Sequence, residues 1–295
     1  MFDIRYHVAS LSAVFVALVI GILVGVGLSG RGFVDDAERK NLTREIAGLK
    51  ADREATSGLL DLADRRQRAM QDYAAGTYPV LVPGRLRDRR VAVLTIGPVD
   101  PAVDFAVRKA VHDAGGKVVR MRALRVPLDA AAVQEAIAKR PDLKGYEGVE
   151  HLGDLGSDLG AELVAGGKAP LWDALDEVIV DEREGLSPTP ADAIIVARPA
   201  TPQRGRTQEF LGALYRGVAR SGVPAVGIEL GDARPSAVPA FVRAGLSTVD
   251  SVETPAGRLA LVFVLGGGQP GSYGTAATAT DGILPPVPPA VAPQG

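Results

Sequence analysis

The stretch "SLSAVFVALVIGILVGVGLSG", Ser10 to Gly30, decides how the rest of the chain is read. It lies in a run from Val8 to Gly30 that carries no ionisable side chain and is bounded by His7 and Arg31. As a helix these 23 residues extend about 34 Å at a rise of ~1.5 Å each, enough to cross a hydrocarbon core of ~30 Å. A signal peptide has a shorter apolar region of ~7–15 residues ahead of a small-residue cleavage site. "GLSGRGF" contains a candidate bond for such cleavage, but the length of the run favours a retained transmembrane helix over residues 8–30. Within it Ala9, Ala13, Ala17, Gly21, Gly25 and Ser29 recur every fourth residue, and "GILVG" is a GxxxG match. Small side chains on one stripe let helix backbones approach closely in lipid, so a homo-oligomer is expected, with Ala13, Ala17, Gly21 and Gly25 in the contact. Nothing charged lines the helix, so one copy offers no ion path. Arg5 precedes it, and Arg31, Arg39, Lys40 and Arg44 follow, interleaved with Asp35, Asp36 and Glu38. Flanking charge alone does not orient it.

The whole chain has 295 residues, 33 Lys+Arg against 35 Asp+Glu, and a net charge of −2. That balance gives no electrostatic pull toward nucleic acid. The absence of cysteine removes disulfides, thiolate metal sites and thiol nucleophiles.

Residues 31–75 change character, with nine Lys/Arg and nine Asp/Glu in 45 positions. Leu42, Ile46, Leu49, Leu60, Ala63, Met70 and Ala74 follow alternating four- and three-residue steps, in a frame that also passes through Arg53, Thr56 and Gln67. Asp35 with Arg39, Asp36 with Lys40, Asp61 with Arg65 and Asp64 with Arg68 are acid-before-base pairs at helical spacing. The pattern suits either one long solvated helix or a coiled coil. A self-associating membrane helix feeding into it favours a coiled-coil stalk with Leu42, Ile46 and Leu49 in the seam. The membrane stripe implies right-handed packing and the heptads left-handed packing, with Gly30 and Gly32 as the place for the change.

Residues 76–88, "GTYPVLVPGRLRD", read as a linker, and 89–268 as an α/β domain. "VAVLTI" (91–96), "KVVRMRAL" (117–124), "AIIVARP" (193–199) and "PAVGIEL" (224–230) are strand-like, and "STVDSV" is a short edge strand. Helical patterns fall between them. "TPAGRLALVFVLGGG" opens with Thr254 as N-cap and Pro255 at the first helical position, and is too short to span a bilayer. Alternating strands and helices imply a doubly wound, mostly parallel sheet flanked by helices. Residues 269–295 lose periodicity and read as a Pro/Gly-rich extended tail.

In such sheets, ligands sit beyond the carboxyl ends of the strands. Asp100, Asp104, Arg198, Glu229 and Asp232 fall there and form a candidate crevice for a polar ligand; the alternative is that they cap helices and turns. No GxGxxG follows the first strand, no P-loop is present and no GxSxG appears, so no enzyme activity and no resident cofactor are expected. His7, His112 and His151 lack metal-ligand spacing.

"RYHVASLSAVFVALVIGILVGVGL", the charged helix after it, "VAVLT", and "STVDSVETPAGRLALVFVLGGGQPGSYGTAATATDGILP" resemble the actinobacterial copper transport family, whose members are similar to mycobacterial copper transport protein B (MctB). The resemblance covers most of the chain. It implies a cell-envelope membrane protein of copper efflux or homeostasis, with its C-terminal domain extracytoplasmic, and a channel-forming role. Copper would then be the transported ion. Cu(I) favours thiolate, thioether and imidazole, and this chain offers only Met1, Met70, Met121 and three histidines, so no dedicated metal site is expected. The competing reading is an envelope scaffold or ligand-binding sensor with protein partners and no transport.

Overall fold

The computed structural model describes residues 4–29, 33–165, 169–185, 189–198 and 201–287, in two units, 1–68 and 69–295. Helix α1 (Ile4–Ser29) contains Tyr6–Gly27, 22 residues long and apolar enough to cross a membrane, with none of that span buried. Helix α2 (Phe33–Leu81) runs for 49 residues and belongs to both units. Its seam side chains Leu42, Ile46 and Leu49 are more than half exposed. Asp64 and Arg68 close an ion pair at 3.6 Å, whereas Asp61 and Arg65 do not pair; the side chains of Asp35 and Asp36 lie outside the described residues, as do Gly30 and Gly32.

In the second unit β1 (Arg90–Ile96), α3 (Pro101–Asp113) and β2 (Lys117–Leu124) form the first βαβ unit. Next come α4 (Ala130–Ala138), α5 (Leu152–Glu162), α6 (Pro170–Ile179) and β3 (Val180–Glu184). The chain continues through β4 (Ala193–Ala197), α7 (Gly205–Ala219), β5 (Ala225–Ile228), α8 (Val238–Ala244), β6 (Ser247–Val249), α9 (Pro255–Leu265) and β7 (Ser272–Tyr273). The seven-stranded sheet has the order β3-β2-β1-β4-β5-β6-β7, parallel except for β3. The expected fold class is therefore the observed one.

Both faces are covered because the central strands are apolar on both. Val91 and Val93 of β1 join a core with α3, α9 and the end of α2; Ala92, Leu94 and Ile96 join one with α4 to α8. Helices α5 and α7 cross so closely that a Cβ at Gly156, Gly160 or Gly217 would strike the partner helix backbone. β2 is the exception to the apolar rule. Arg120 is buried and donates to the carbonyls of Ala165 (2.8 Å) and Thr189 (3.0 Å), while the buried Arg122 guanidinium lies 4.6 Å from the Trp172 ring centroid. The connections through α7 and α8 run toward β6 on one face, and α9 continues the same way on the other. The β6-α9-β7 crossover is therefore of opposite hand to them, against the usual rule.

Two expectations need correction, and one strand was not anticipated. The linker over 76–88 is helical to Leu81, with Pro79 in the last turn, and Tyr78, Val82 and Leu86 are buried in the core. An apolar run of valines and leucines around two prolines packs rather than links. The tail from 269 begins as structure: Ser272 and Tyr273 form β7 on β6, so β6 is not an edge. Residues 288–295 lie outside the described residues. Finally β3, "VDERE", is an antiparallel edge strand that periodicity misses, because four of its five side chains are charged and exposed, as suits an edge.

The conspicuous stretch "DSVETPAGR" holds these pieces together. Asp250 is buried, and its carboxylate accepts from Ser251 Oγ (2.8 Å), Thr275 N (2.7 Å) and Ala276 N (3.2 Å). A Cβ at Gly274 would collide with that carboxylate, and one at Gly257 with the Ser251 carbonyl. Thr254 Oγ1 accepts from Gly257 N at 3.0 Å, capping α9 as read from the sequence. Arg258 donates to the Glu253 carbonyl at 2.6 Å and lies over the Tyr78 ring at 5.5 Å, tying α9 to the end of α2. Replacement of Asp250 by Ala strands two backbone N–H groups, and should destabilise the protein by on the order of 3 kcal/mol in urea unfolding.

Arg90 and Asp192 join the starts of β1 and β4 by a two-pronged pair, both contacts at 2.8 Å. The Arg90 guanidinium pulls the Asp192 carboxyl down to about 2. A depressed carboxyl contributes stability that is present above its unfolded value of ~3.9 and is lost as pH falls toward the folded value. Asp192→Asn should therefore cost about 1 kcal/mol at neutral pH, measured by urea unfolding, with the difference from wild type vanishing as pH falls from ~4 to ~2.

Candidate functional site

β2 and β4 flank β1 on opposite sides and are reached in opposite directions, so the switch point of this sheet lies between β1 and β4. A crevice of about 380 Å³ opens there beyond the strand ends. From β1 and the turn after it come Thr95, Pro98 and Asp100; Arg198 follows β4; Leu230, Asp232 and Arg234 come from the loop after β5. Three of the five residues singled out in the sequence thus meet: Asp100, Arg198 and Asp232.

Asp100 is also the N-cap of α3, accepting from Ala102 N at 2.8 Å, so its position is fixed by the helix it starts. Arg198 is held by its backbone N–H, which donates to the Ile228 carbonyl at 3.0 Å. Arg234 Nη1 donates to the Ala233 carbonyl at 2.8 Å. The wall therefore carries two aspartates and two arginines. Thr95 is buried, with its hydroxyl donating to the carbonyls of Gly97 and Arg122, each at 3.4 Å.

The other two residues are elsewhere. Glu229 is turned inward and 2% exposed; its carboxylate accepts from Ser236 Oγ (2.6 Å) and Ala237 N (2.7 Å). It braces both ends of the loop that forms the crevice wall. Asp104 sits in the first turn of α3 and binds Arg108 at 2.7 Å, and Arg108 in turn pairs with Glu184 of β3. Hydrogen bonding to Glu184 and Asp104 raises the Arg108 guanidinium above its ordinary value, and the same pairing lowers the Glu184 carboxyl. These two acids were placed near the strand ends by sequence position alone, which does not reveal the direction of a side chain. Thr95 and Arg234 were missed: a strand threonine carries no sequence signal, and Arg234 lies in a loop whose path only the fold defines.

Among the described residues, no group of three or more His, Cys, Asp or Glu is arranged to hold a metal ion. Met121 is buried with its sulfur 3.8 Å from Arg108 Nη2, and Met70 is on the exposed surface of α2. His151 Nδ1 lies 3.3 Å from Asp154 on the adjacent helix turn.

A family model described as copper transport outer membrane protein, MctB, matches residues 1–284. No individual curated protein matches the chain. The matched span takes in the apolar helix, the long charged helix and the whole seven-stranded sheet, so the chain belongs to the MctB copper transport outer membrane protein family.

Proposed function

We propose that this chain is a single-pass, membrane-anchored envelope protein of copper efflux that works as a self-associated assembly and not as an enzyme. The observation that carries the reading is the family match over residues 1–284, which includes a 22-residue apolar helix with none of its span buried. The anchor is α1, retained in the membrane, and the α/β unit is extracytoplasmic. Ala13, Ala17, Gly21 and Gly25 form the contact between copies in lipid. Among the described residues, no atom beyond its own stretch of helix lies within 4 Å of a Cβ built on Gly21. Exposed Leu42, Ile46 and Leu49 continue the contact as a coiled-coil seam. Copper is cargo. The donor set, without cysteine and with sparse methionine, suits passage or organisation of a transport assembly over tight capture.

A second reading has its own support. The crevice with Asp100, Arg198 and Asp232 sits where such sheets take ligands, and suits a sensor or scaffold that recognises an envelope molecule or partner. Copper content separates the two. A deletion strain grown with added copper should accumulate it, and the full-length gene should restore the normal level while a version lacking residues 8–30 should not. Unchanged copper on deletion would favour the scaffold.

A further inference from the structure

A second and larger cavity, of about 540 Å³, lies between α7 and α8. Its polar rim holds three arginines, Arg198, Arg216 and Arg243, and two glutamines, Gln203 and Gln208; among the described residues no acidic residue lines it, and the Glu229 carboxylate is turned behind Ser236 and Ala237. The switch-point crevice, which shares Arg198, is lined by two aspartates as well. The floor is apolar, made by Leu211, the face of Tyr215 and small residues of α8.

Helix geometry explains why these residues line one cavity. Positions 208, 211, 212, 215 and 216 of α7 share one face, and so do 240, 243 and 244 of α8. The two helices are held by the edge contact of Tyr215 with Phe241, ring centroids 5.0 Å apart. Small residues, Gly212, Ala240 and Ala244, leave the gap open. Arg216 folds back along its own helix: a Cβ on Gly212 would lie 3.6 Å from Arg216 Nη1. Burial pushes the Tyr215 phenol well above its ordinary value, so it stays neutral and adds no negative charge.

The geometry points to a binding site for an organic phosphate, a phosphate group on an apolar or aromatic body. Planar guanidiniums engage phosphate oxygens by paired N–H donors, and Arg216 and Arg243 offer two of them at one rim. The volume falls within the ~300–1,000 Å³ of small-molecule sites, far more than a bare phosphate fills, and the apolar floor calls for the rest of the molecule. The same chemistry is presented by a soluble phosphate ester and by the headgroup of a phosphorylated lipid.

Titration calorimetry on the full chain in detergent tests this, with phenyl phosphate, short-chain phosphatidic acid, inorganic phosphate and phenol as probes. Phenyl phosphate or phosphatidic acid should bind saturably, one per chain, and the tighter of the two tells a soluble from a lipid source. Inorganic phosphate and phenol should each bind at least about tenfold more weakly, since each supplies half of the recognition. Arg216→Gln with Arg243→Gln should weaken binding by about tenfold or more. Gly212→Leu, which fills the cavity and leaves the charges in place, should do the same, and an unchanged unfolding midpoint in both variants would show that the fold is intact. No saturable binding of either organic phosphate at millimolar concentration, binding untouched by both variants, or inorganic phosphate binding as tightly as the ester would each overturn the assignment.

Discussion

Twelve large apolar side chains between Val8 and Val26 of α1 are 43–74% exposed among the described residues. At ~1.5–3 kcal/mol for each such side chain left in water, the exposed set represents on the order of 20 kcal/mol. That exceeds the ~5–15 kcal/mol by which a whole domain is stable. In the proposed reading, lipid covers α1. Lipid fits a helix that is apolar on all sides and 22 residues long, and close contact between copies fits its stripe of small residues. In the same unit Leu42, Ile46 and Leu49 of the charged helix α2 are also exposed.

In the second unit the corresponding constraint is the central place of β1. With β2 on one side and β4 on the other, helices must cover both faces, and a gap must open where the chain changes direction. Asp100 fills two roles at that gap, capping α3 and facing the crevice. Glu229, buried beneath, fixes the opposite wall. The result is a charge-balanced crevice beside a cationic cavity, joined at Arg198. The proposed ligand sites thus lie in the α/β unit, while the helix long and apolar enough to cross a membrane lies in the first unit.

Much of this was legible in the residues. "VAVLTI" and "AIIVA" announce strands buried on both faces, and Thr254-Pro255 announces the start of α9, because local propensity and burial agree there. What stayed hidden depends on distant partners. Tyr78, Val82 and Leu86 look like a proline-bearing linker until α3 and α9 supply the core they enter. β7 is two residues long and exists because Asp250 and Asp281 fix the glycine-rich segment around it. β3 is masked by its charges. At the crevice, sequence position found three of the wall residues but not the inward turn of Glu229, which reflects hydrogen bonds formed only when α8 is in place. Arg216 and Arg243 looked like ordinary charged faces of two helices, and become a site through the packing of α7 on α8.

The most direct test of the account is the fate of α1 in the mature protein. Membranes from cells expressing the full chain would be washed with alkaline carbonate, and the retained protein measured by intact-mass spectrometry. The account predicts a protein that stays with the membrane, needs detergent for release and has a mass that includes residues 8–30. A soluble protein, or a mature chain that begins after Ser29, would show that the apolar run is a cleaved signal, and would remove the anchor on which the rest of the reading depends.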